Sequence, residues 1–417
     1  MSDLRFVDLF AGIGGFHQAL GPAGLGMRCV FSSEIDQDAA DVYEWNHGHR
    51  PAGDIKPLTE GDAMAVPDHD LLAAGFPCQP FSKSGFQRGF QETRGTLFFN
   101  ICRILEVRRP QYVVLENVRN LAGPRQRDTW STIVGSLRDL GYRVSGTPAV
   151  FSPHLLPPSM SGAPQVRERV FVLGEYVGRA AALAAEPEPL LRPMPADGWN
   201  PQSWSLEAHL PLEQLLPAEA AKYSLRPDEI RWIDVWNELI ADLDEERLPT
   251  FPIWADAFRA PLRIPAGTPP WKRNFLVKNH DLYIRNKGTI DAWLERHDGL
   301  SAFPASRRKL EWQAQDGTRD LWRHVMHLRP SGIRVKQSTY VPALVAITQT
   351  SIVGPRRRRL TPREAARLQG LPDSFRLHPR DSVAYKQLGN AVNVGVVQHA
   401  VRTLLDSARH GVLAPAV

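Results

Sequence analysis

The sequence predicts an α/β protein whose main domain is a doubly wound, mostly parallel sheet. Three observations lead to this prediction. Short apolar strand candidates alternate with helical stretches up to residue 174, a glycine-rich turn joins the first strand to the first helix, and the alternation stops after residue 174. Alternating strands and helices are typical of an open parallel sheet. In such sheets the ligand lies beyond the carboxyl ends of the strands.

The first strand is predicted over residues 4–10, and the turn AGIGG at 11–15 separates it from a helix over 16–20. A second strand at 28–33 ends before Glu34, about twenty residues after the glycines, where dinucleotide-binding folds place the acid that holds ribose hydroxyls. The glycines do not spell GxGxxG, which disfavours a nicotinamide cofactor. A nucleoside cofactor without phosphates, such as S-adenosylmethionine, fits this pattern.

Further strands are predicted at 69–74, 111–115 and 170–173, with helices near 96–108 and 128–140. Chemically useful residues fall at or just after the predicted strand ends, or in the loops that follow. Because these ends meet at one edge of a parallel sheet, we expect one crevice to hold them all. The residues are Gly12, Glu34, Asp54, Cys78 and Glu116.

The loop GFPCQPFS at 75–82 carries Cys78 directly after an apolar strand candidate. Its two prolines prevent a strand or helix from continuing across the cysteine, so the thiol is predicted on a stiff loop. From this loop alone, two interpretations stay open. Cys78 is either a small buried hydrophobic residue, as most free cysteines are, or a positioned nucleophile.

The composition changes after residue 174. Residues 176–330 are rich in proline, and nine of the eleven tryptophans lie between Trp199 and Trp322. We therefore predict a catalytic domain over 1–175 and 340–417 and an inserted domain over 176–339. In the insertion we predict helices near 227–245 and 288–298 and otherwise irregular structure, with most tryptophans serving as core.

The chain is predicted to re-enter the main domain with a buried β segment at 341–350. A helix follows, with Thr361 as N-cap, Glu364 in the capping-box position and Gly370 as its stop. The stretch 387–392 then leads into a last helix that ends near residue 405.

The totals restrict the class of protein. The chain has 417 residues, 43% hydrophobic and 23% charged, and no apolar run long enough to span a bilayer, so we expect a folded protein without a membrane partner. No secretory signal is visible, and three distant cysteines favour a reducing cytoplasm and no metal site. A net charge of +5 agrees with a polyanionic partner. Nucleic acid is favoured by three basic clusters, at 271–273, 307–309 and 356–359.

Six motifs occur in a fixed order along the chain. They are DLFAGIGG at 8–15, GFPCQPFS at 75–82, ENV at 116–118, QVRER at 165–169, the helix at 362–370 and QLGNAV at 387–392. With these motifs the sequence resembles the bacterial type of cytosine-5 DNA methyltransferase. This resemblance implies a large domain that binds S-adenosylmethionine and a smaller target-recognition domain inserted between the fourth and fifth motifs.

The resemblance implies a role for each catalytic residue. The Cys78 thiolate adds to cytosine C6, so that C5 becomes nucleophilic enough to take the methyl group. Glu116 donates a proton toward N3, which requires a raised pKa. Arg167 and Arg169, alternating along one predicted strand, hold cytosine O2 and a phosphate or the catalytic carboxylate. Surface arginines and a helix-capping Glu116 are the alternatives.

The resemblance also implies binding residues. For the cofactor, Glu34 binds the ribose hydroxyls, Asp54 the adenine amino group and Phe10 the adenine face, while Asn390 closes the methionine end. The glycine loop contributes two further cofactor residues, Gly12 and Gly14, and substrate contacts are expected from Gln79, Ser82 and Gln165. The segment 79–95 is expected to be a mobile lid over DNA.

The expected reaction is methyl transfer to C5 of a cytosine flipped out of double-stranded DNA. We expect a monomer in the bacterial cytoplasm, associated with the nucleoid and paired in function with a restriction endonuclease. One alternative is a tRNA cytosine-5 methyltransferase, although such enzymes usually carry a Cys-Phe-Thr insertion that this chain lacks. The other is an inactive DNA-binding relative, which would have no reason to keep Cys78, Glu116, Arg167 and Arg169.

Overall fold

The structure is a computed structural model, and it describes residues 3–60, 64–77, 97–196, 198–315, 317–344 and 350–410. The strands are β1 Arg5–Leu9, β2 Arg28–Ser33, β3 Leu71–Gly75, β4 Tyr112–Val118, β5 Tyr142–Arg143, β6 Ala149–Phe151, β7 Gln165–Val166, β8 Arg169–Tyr176, β9 Ile253–Trp254, β10 Lys309–Gln313, β11 Val325–Arg329, β12 Gly332–Lys336, β13 Val341–Pro342, β14 Ile352–Val353 and β15 Arg358–Arg359.

The helices lie between these strands and after the last of them. They are α1 Gly15–Leu20, α2 Gln37–His47, α3 Ile55–Thr59, α4 Leu97–Arg108, α5 Arg127–Asp139, α6 Arg179–Ala184, α7 Leu206–His209, α8 Pro217–Tyr223, α9 Pro227–Asp242, α10 Pro270–Arg285, α11 Lys287–Arg296, α12 Pro362–Leu368, α13 Asp381–Asn390 and α14 Val394–His410. No helix of the described ranges is long and apolar enough to cross a membrane.

The first sheet confirms the predicted α/β class. Its order is β2-β1-β3-β4-β8-β5, with β6 also on β8. The strands β2, β1, β3 and β4 are mutually parallel, whereas β8 runs antiparallel to β4. From β1 the chain moves first to β2 on one side and later to β3 on the other. The crevice between such diverging connections is where ligands bind in open α/β sheets.

Both faces of this sheet are covered, as a doubly wound fold requires. Alternate residues of β1 point to opposite faces: Phe6 packs in one core with the helices α1 and α14, and Val7 packs in the other with α4 and α5. Burial of one such side chain stabilises the fold by about 1.5–3 kcal/mol. The two cores fix the register of the strands, and with it the position of every residue at the strand ends.

A second sheet occupies the inserted region, in the order β15-β14-β11-β12-β10-β9. The prediction of irregular structure there, outside two helices, is wrong. The predicted helices correspond to α9 and α11, but α10 and this sheet were not foreseen. The sheet also continues through β14 and β15, beyond residue 339, so the domain limits stay a prediction. The tryptophans Trp236, Trp293 and Trp312 are fully buried in its core.

The C-terminal elements follow the sequence closely. In α12 the predicted capping box is confirmed: Thr361 Oγ1 accepts from the N–H of Glu364 at 3.1 Å, and Glu364 Oε2 accepts from the N–H of Thr361 at 2.9 Å. Gly370 follows this helix with a φ of 76°. Of the β segment predicted at 341–350, only β13 forms a strand, parallel to β7, and residues 345–349 lie outside the described residues.

Candidate active site

A cleft of about 500 Å³ opens at the carboxyl ends of the first four strands. Its walls come from the loop after β1, from residues 33–36 after β2, from residues 75–77 after β3 and from the end of β4. The C-terminal end of α13 and the turn after it also line the cleft. The expectation of one crevice at these strand ends agrees with this geometry.

Glu34 is fixed by backbone hydrogen bonds on one side of the cleft. Its Oε2 accepts from the N–H of Gly12 at 2.7 Å, and its Oε1 accepts from the N–H of Asp36 at 2.8 Å. Gly12 has a φ of 55°, a region that glycine adopts readily. Each carboxylate oxygen keeps a lone pair for further donors, such as two ribose hydroxyls.

Phe10, Asp54 and Asn390 also line the cleft, as their predicted contacts with a cofactor require. Asp54 is the N-cap of α3 and accepts from the N–H of Lys56 at 3.0 Å. Gly14 does not line the cleft. It has a φ of 86°, and a Cβ there would lie 2.2 Å from Nε2 of His47. Gly14 therefore allows the turn to pack against α2, and does not offer a surface to a ligand.

Glu116 lies within β4, directly beside Gly75 of β3. A Cβ on Gly75 would be 3.6 Å from Oε2 of Glu116, so the glycine leaves this carboxyl room. Burial raises the pKa of Glu116 above its usual value, although the Arg169 and Arg167 guanidinium groups oppose the rise. The interpretation of Glu116 as a helix cap does not hold, because its backbone belongs to the strand.

Arg169 holds the Glu116 carboxyl from the neighbouring strand. Its Nε lies 3.0 Å from Oε1 of Glu116, and both side chains are largely buried. The pair also lines the cleft. One predicted role of this arginine, holding the catalytic carboxylate, agrees with the geometry.

Arg167 is placed differently. It lies before β8 and not within the same strand as Arg169, so the predicted alternation along one strand is wrong. Its side chain is buried and donates to three backbone carbonyls: Leu344 at 3.2 Å, Gly389 at 2.8 Å and Ala391 at 2.7 Å. Burial lowers the pKa of its guanidinium to about 9.

The loop that carries the predicted nucleophile begins inside the cleft. Asn117 of β4 donates from Nδ2 to the carbonyl of Phe76 at 2.9 Å, which ties the start of the loop to the sheet. Pro77, the residue before Cys78, lines the cleft. Cys78, Gln79 and Ser82, with the predicted lid at 79–95, lie outside the described residues.

Gln165, a predicted substrate contact, is fully buried in β7. It does not line the cleft, and neither polar atom of its side-chain amide has a hydrogen-bond partner among the described residues. The structure brings together Glu116, Arg169 and the start of the Cys78 loop, but it does not bring Gln165 to them.

Among the other residues that line the cleft, Asp36, Lys386 and Gln387 were not assigned a role from the sequence. Asp36 Oδ2 accepts from Lys386 Nζ at 3.1 Å, which links the loop after β2 to α13. Asp36 is two residues after Glu34. Lys386 directly precedes the QLGNAV motif, and Gln387 is the first residue of that motif. Their proximity to known motifs was the only signal, since the ion pair joins residues 350 positions apart.

One group of metal-type ligands lies near the glycine turn. Donor atoms of His17, Cys29 and His49 lie within 4.8 Å of one another. Each of the three already has a partner: His17 Nδ1 with Tyr43 at 2.7 Å, His49 Nε2 with Ser32 at 3.1 Å, and the Cys29 thiol with the carbonyl of Phe31 at 3.4 Å. Because the fold uses these atoms in its own hydrogen bonds, we assign no metal to them.

The arrangement combines two chemical capacities. One end of the cleft presents fixed carboxylates to hydroxyl or cationic groups. The other end presents Glu116, a buried carboxyl of raised pKa held by Arg169, next to the start of a cysteine-bearing loop. A raised pKa allows a carboxylic acid to donate a proton near neutral pH.

Comparisons with known proteins point to one family. The model of the family described as C-5 cytosine-specific DNA methylase matches residues 4–209 and 274–406. The chain is similar to Type II methyltransferase M.AluI of Cellulosimicrobium cellulans, with 44% identity over 95% of this chain and 91% of that protein. It is also similar to Type II methyltransferase M.HhaI of Haemophilus parahaemolyticus, with 30% identity over 96% and 93%.

Solved structures share the fold. The Dnmt2 methyltransferase of S. pombe has a TM-score of 0.51 and 18% identity, covering 97% of this chain and 99% of that one. A DNMT2 variant of Spodoptera frugiperda has a TM-score of 0.50, also with 18% identity, over 97% and 100%. At this identity the likeness supports the fold and nothing more.

Proposed function

The chain belongs to the C-5 cytosine-specific DNA methylase family, and on that premise we propose how its cleft carries out the reaction. The reaction is methyl transfer from S-adenosylmethionine to C5 of cytosine in DNA. The observation that carries the proposal is the buried Glu116 carboxyl, which shares one cleft with Glu34 and with Pro77, the residue before Cys78.

The cleft fits S-adenosylmethionine in size and in charge. Its volume of about 500 Å³ is in the range of small-molecule sites. Four carboxylates line it, against three cations. Lys386 pairs with Asp36, and Arg169 pairs with Glu116. The carboxylates of Glu34 and Asp54 then face one remaining cation, Lys56. An acidic site suits a cation, and S-adenosylmethionine supplies a methyl group on a positively charged sulfur. Glu34 would hold the ribose, and Phe10 and Asp54 the adenine.

Cys78 activates the cytosine. Its thiolate adds to C6, and the electron pair of the C5–C6 double bond moves through the ring toward N3. Glu116 donates its proton to N3, so no anion builds up there, and the resulting enamine attacks the methyl group through C5. Water then takes the C5 proton, and Cys78 leaves as the thiolate while the C5–C6 double bond re-forms. The N3 proton returns to Glu116, so that neutral 5-methylcytosine is released.

Arg169 positions the Glu116 carboxyl, because its Nε lies 3.0 Å from Oε1 and the pair is shielded from water. Arg167 supports the site from behind. It donates to the carbonyls of Gly389 and Ala391, on either side of Asn390, and so holds the C-terminal wall of the cleft against the sheet.

The substrate proposed is a cytosine flipped out of double-stranded DNA, because C6 is not accessible to a nucleophile inside the stacked duplex. Contacts to that base or its neighbours from Gln79 and Ser82 belong to the same proposal, whereas the buried Gln165 is left out of it. So do a monomeric state, a location in the cytoplasm with nucleoid DNA, and a restriction endonuclease as functional partner.

The direct test supplies S-adenosylmethionine with a labelled methyl group to two substrates side by side, an unmethylated plasmid and bulk tRNA. Label is expected in the plasmid, as 5-methylcytosine. Label in tRNA alone would overturn the DNA assignment, and label in neither would favour an inactive relative. Mapping 5-methylcytosine in the genome of a host that expresses the chain then identifies the target sequence.

A further inference from the structure

The three basic clusters of the second half of the chain appear equivalent in the sequence, but the structure separates them. In the cluster at 307–309, Arg307 donates to the carbonyl of Arg329 at 2.8 Å. Its neighbour Arg308 pairs with Asp256 at 3.3 Å. All three side chains of this cluster are half-buried. Their charges are largely used inside the protein.

The cluster at 356–359 is used in the same way. Arg358 forms a buried ion pair with Glu364 at 2.7 Å, and Arg359 pairs with Glu229 at 2.8 Å. The Arg357 guanidinium lies 4.5 Å from the centre of the Trp322 ring. These arginines stabilise the junction between the second sheet and α12, and of the four only Arg356 remains exposed without a side-chain contact.

The cluster at 271–273 is different. Trp271 is 61% exposed, and Lys272 and Arg273 are exposed as well. The two cations form no side-chain hydrogen bond or ion pair with the described residues, whereas Arg226, Arg285 and Arg308 in the same region each pair with a carboxylate. Free, exposed charges of one sign are the electrostatic footprint of a polyanion-binding surface.

The cluster is part of a longer segment of the same character, residues 257–280, which we call the basic arm. The arm contains no acidic residue between Asp256 and Asp281, and its five cations are all exposed. The five are Arg259, Arg263, Lys272, Arg273 and Lys278.

The arm is held firmly at its base. Asn279 is fully buried, accepts from the N–H of Trp254 at 2.7 Å and donates to the carbonyls of Pro252 and Phe275 at 3.0 and 2.8 Å. Leu282 packs in the core below. A buried anchor fixes the backbone beneath the exposed cations, so that binding orders their side chains but not the backbone that carries them.

The family pattern gives a second indication. It matches residues 4–209 and 274–406 but leaves 210–273 unmatched, and most of the arm lies in this gap. Chemistry common to the whole family does not depend on residues outside its pattern. Residues 257–273 of the arm, with Lys272 and Arg273, therefore lie outside the shared pattern, whereas Lys278 lies inside it.

We propose that the basic arm is a duplex-DNA contact surface, in which Lys272, Arg273 and Lys278 neutralise backbone phosphates and Trp271 packs against the sugar edge of a groove. The inference rests on the proposed function, which makes DNA the polyanion. Contacts to phosphate release condensed counterions, so the arm contributes to affinity in a salt-dependent way.

The test measures binding of the full-length protein to a fluorescent, unmethylated duplex fragment of mixed sequence over a series of salt concentrations. Lys272→Ala/Arg273→Ala is expected to weaken binding at low salt about tenfold or more and to lower the slope of log K against log salt by about 1.8, which corresponds to two lost phosphate contacts. Trp271→Ala is expected to weaken binding with no change in this slope.

The matched control is Arg231→Ala/Arg402→Ala, which removes two exposed cations on α9 and α14. Its net charge equals that of the Lys272→Ala/Arg273→Ala variant. The control variant is expected to bind as the wild type does. S-adenosylmethionine binding and the melting temperature show whether each variant is folded. Lys278→Ala repeats the salt test for a single cation, and its slope is expected to change by about 0.9. The inference is overturned if Lys272→Ala/Arg273→Ala and Lys278→Ala both keep the wild-type slope of log K against log salt. It is also overturned if the control variant loses as much DNA affinity as the arm variants do.

Failure of the inference is distinct from failure of the proposed function. If the wild type transfers labelled methyl groups to this duplex while the arm variants bind it as tightly as the wild type, the arm is not a DNA surface and the enzyme assignment stands. If the wild type neither binds nor methylates duplex DNA, both fail. For a positive result, the arm variants should show a raised KM for DNA with an unchanged kcat.

Discussion

The cofactor cleft and the basic arm hold their charged side chains in opposite ways. In the cleft, Glu34 is fixed by two backbone N–H groups, and Glu116 is buried against Arg169. In the arm, Lys272 and Arg273 face solvent and have no partner among the described residues. Fixed, buried groups suit chemistry, because their geometry and pKa are set before the substrate arrives. Free cations suit the recognition of an extended anion.

This contrast predicts that changes in the cleft alter the rate and that changes in the arm alter affinity. The largest effect is expected from Glu116→Gln, which cannot donate a proton to N3 and should slow methyl transfer about 10²–10⁴-fold. Single-turnover kinetics with a labelled methyl group measure the rate. S-adenosylmethionine binding and duplex binding should be unchanged, and a rate close to the wild type would exclude the proton-donor role.

The two arginines of the QVRER motif are expected to differ in role, Arg167 in stability and Arg169 in rate. Arg167→Ala leaves three buried carbonyl groups without their donor, so we expect a loss of about 3 kcal/mol or more in the free energy of unfolding. Arg169→Ala should instead lower the rate, because the Glu116 carboxyl loses the group that orients it. Urea denaturation and single-turnover rates on both variants separate the two roles. Equal losses of stability would contradict the assignment.

The smallest effect concerns pH. Asp8, in β1 below the glycine turn, is fully buried with both carboxyl oxygens unpartnered among the described residues, and burial raises its pKa well above 3.8. The folded state therefore holds this proton more tightly than the unfolded state. Its contribution to stability is complete below the unfolded pKa and is lost as pH rises toward the folded one.

We therefore expect Asp8→Asn, which has no such proton to lose, to gain stability relative to the wild type as pH increases. The difference in unfolding free energy should grow between pH 5 and pH 8, as measured by urea denaturation at each pH. A difference that is constant with pH would mean that Asp8 does not titrate in this range. Asp36→Asn, at an exposed ion pair with Lys386, is the control.

The cleft could be predicted from the sequence because most of its walls lie at or near the carboxyl ends of strands. A strand that is buried on both faces forms a short apolar run, and the parallel pairing of β1, β3 and β4 aligns their carboxyl ends. Glu34, Asp54 and Glu116 were therefore placed correctly at the cleft without any knowledge of their contacts. The capping box of Thr361 and Glu364 was equally local, and was confirmed.

Arg167 and the second sheet could not be predicted in this way. The carbonyl partners of Arg167 lie 177 to 224 residues away along the chain, and no local pattern encodes such a distance. The strands of the second sheet have two to five residues, and β10 pairs in parallel with β12 across the antiparallel β11–β12 hairpin. For the basic clusters, charge was visible in the sequence, but only the folded structure shows which cations already have a partner.

The central claim is that Cys78 is the nucleophile, and a duplex with 5-fluorocytosine at the target position tests it most directly. Fluorine cannot leave C5 as a proton does, so the covalent complex should persist after methyl transfer and survive a denaturing gel. We expect this complex from the wild type with S-adenosylmethionine, and equally from the control Cys102→Ala, which alters a buried thiol of α4. Cys78→Ala should give none, and an adduct formed by Cys78→Ala would contradict the account.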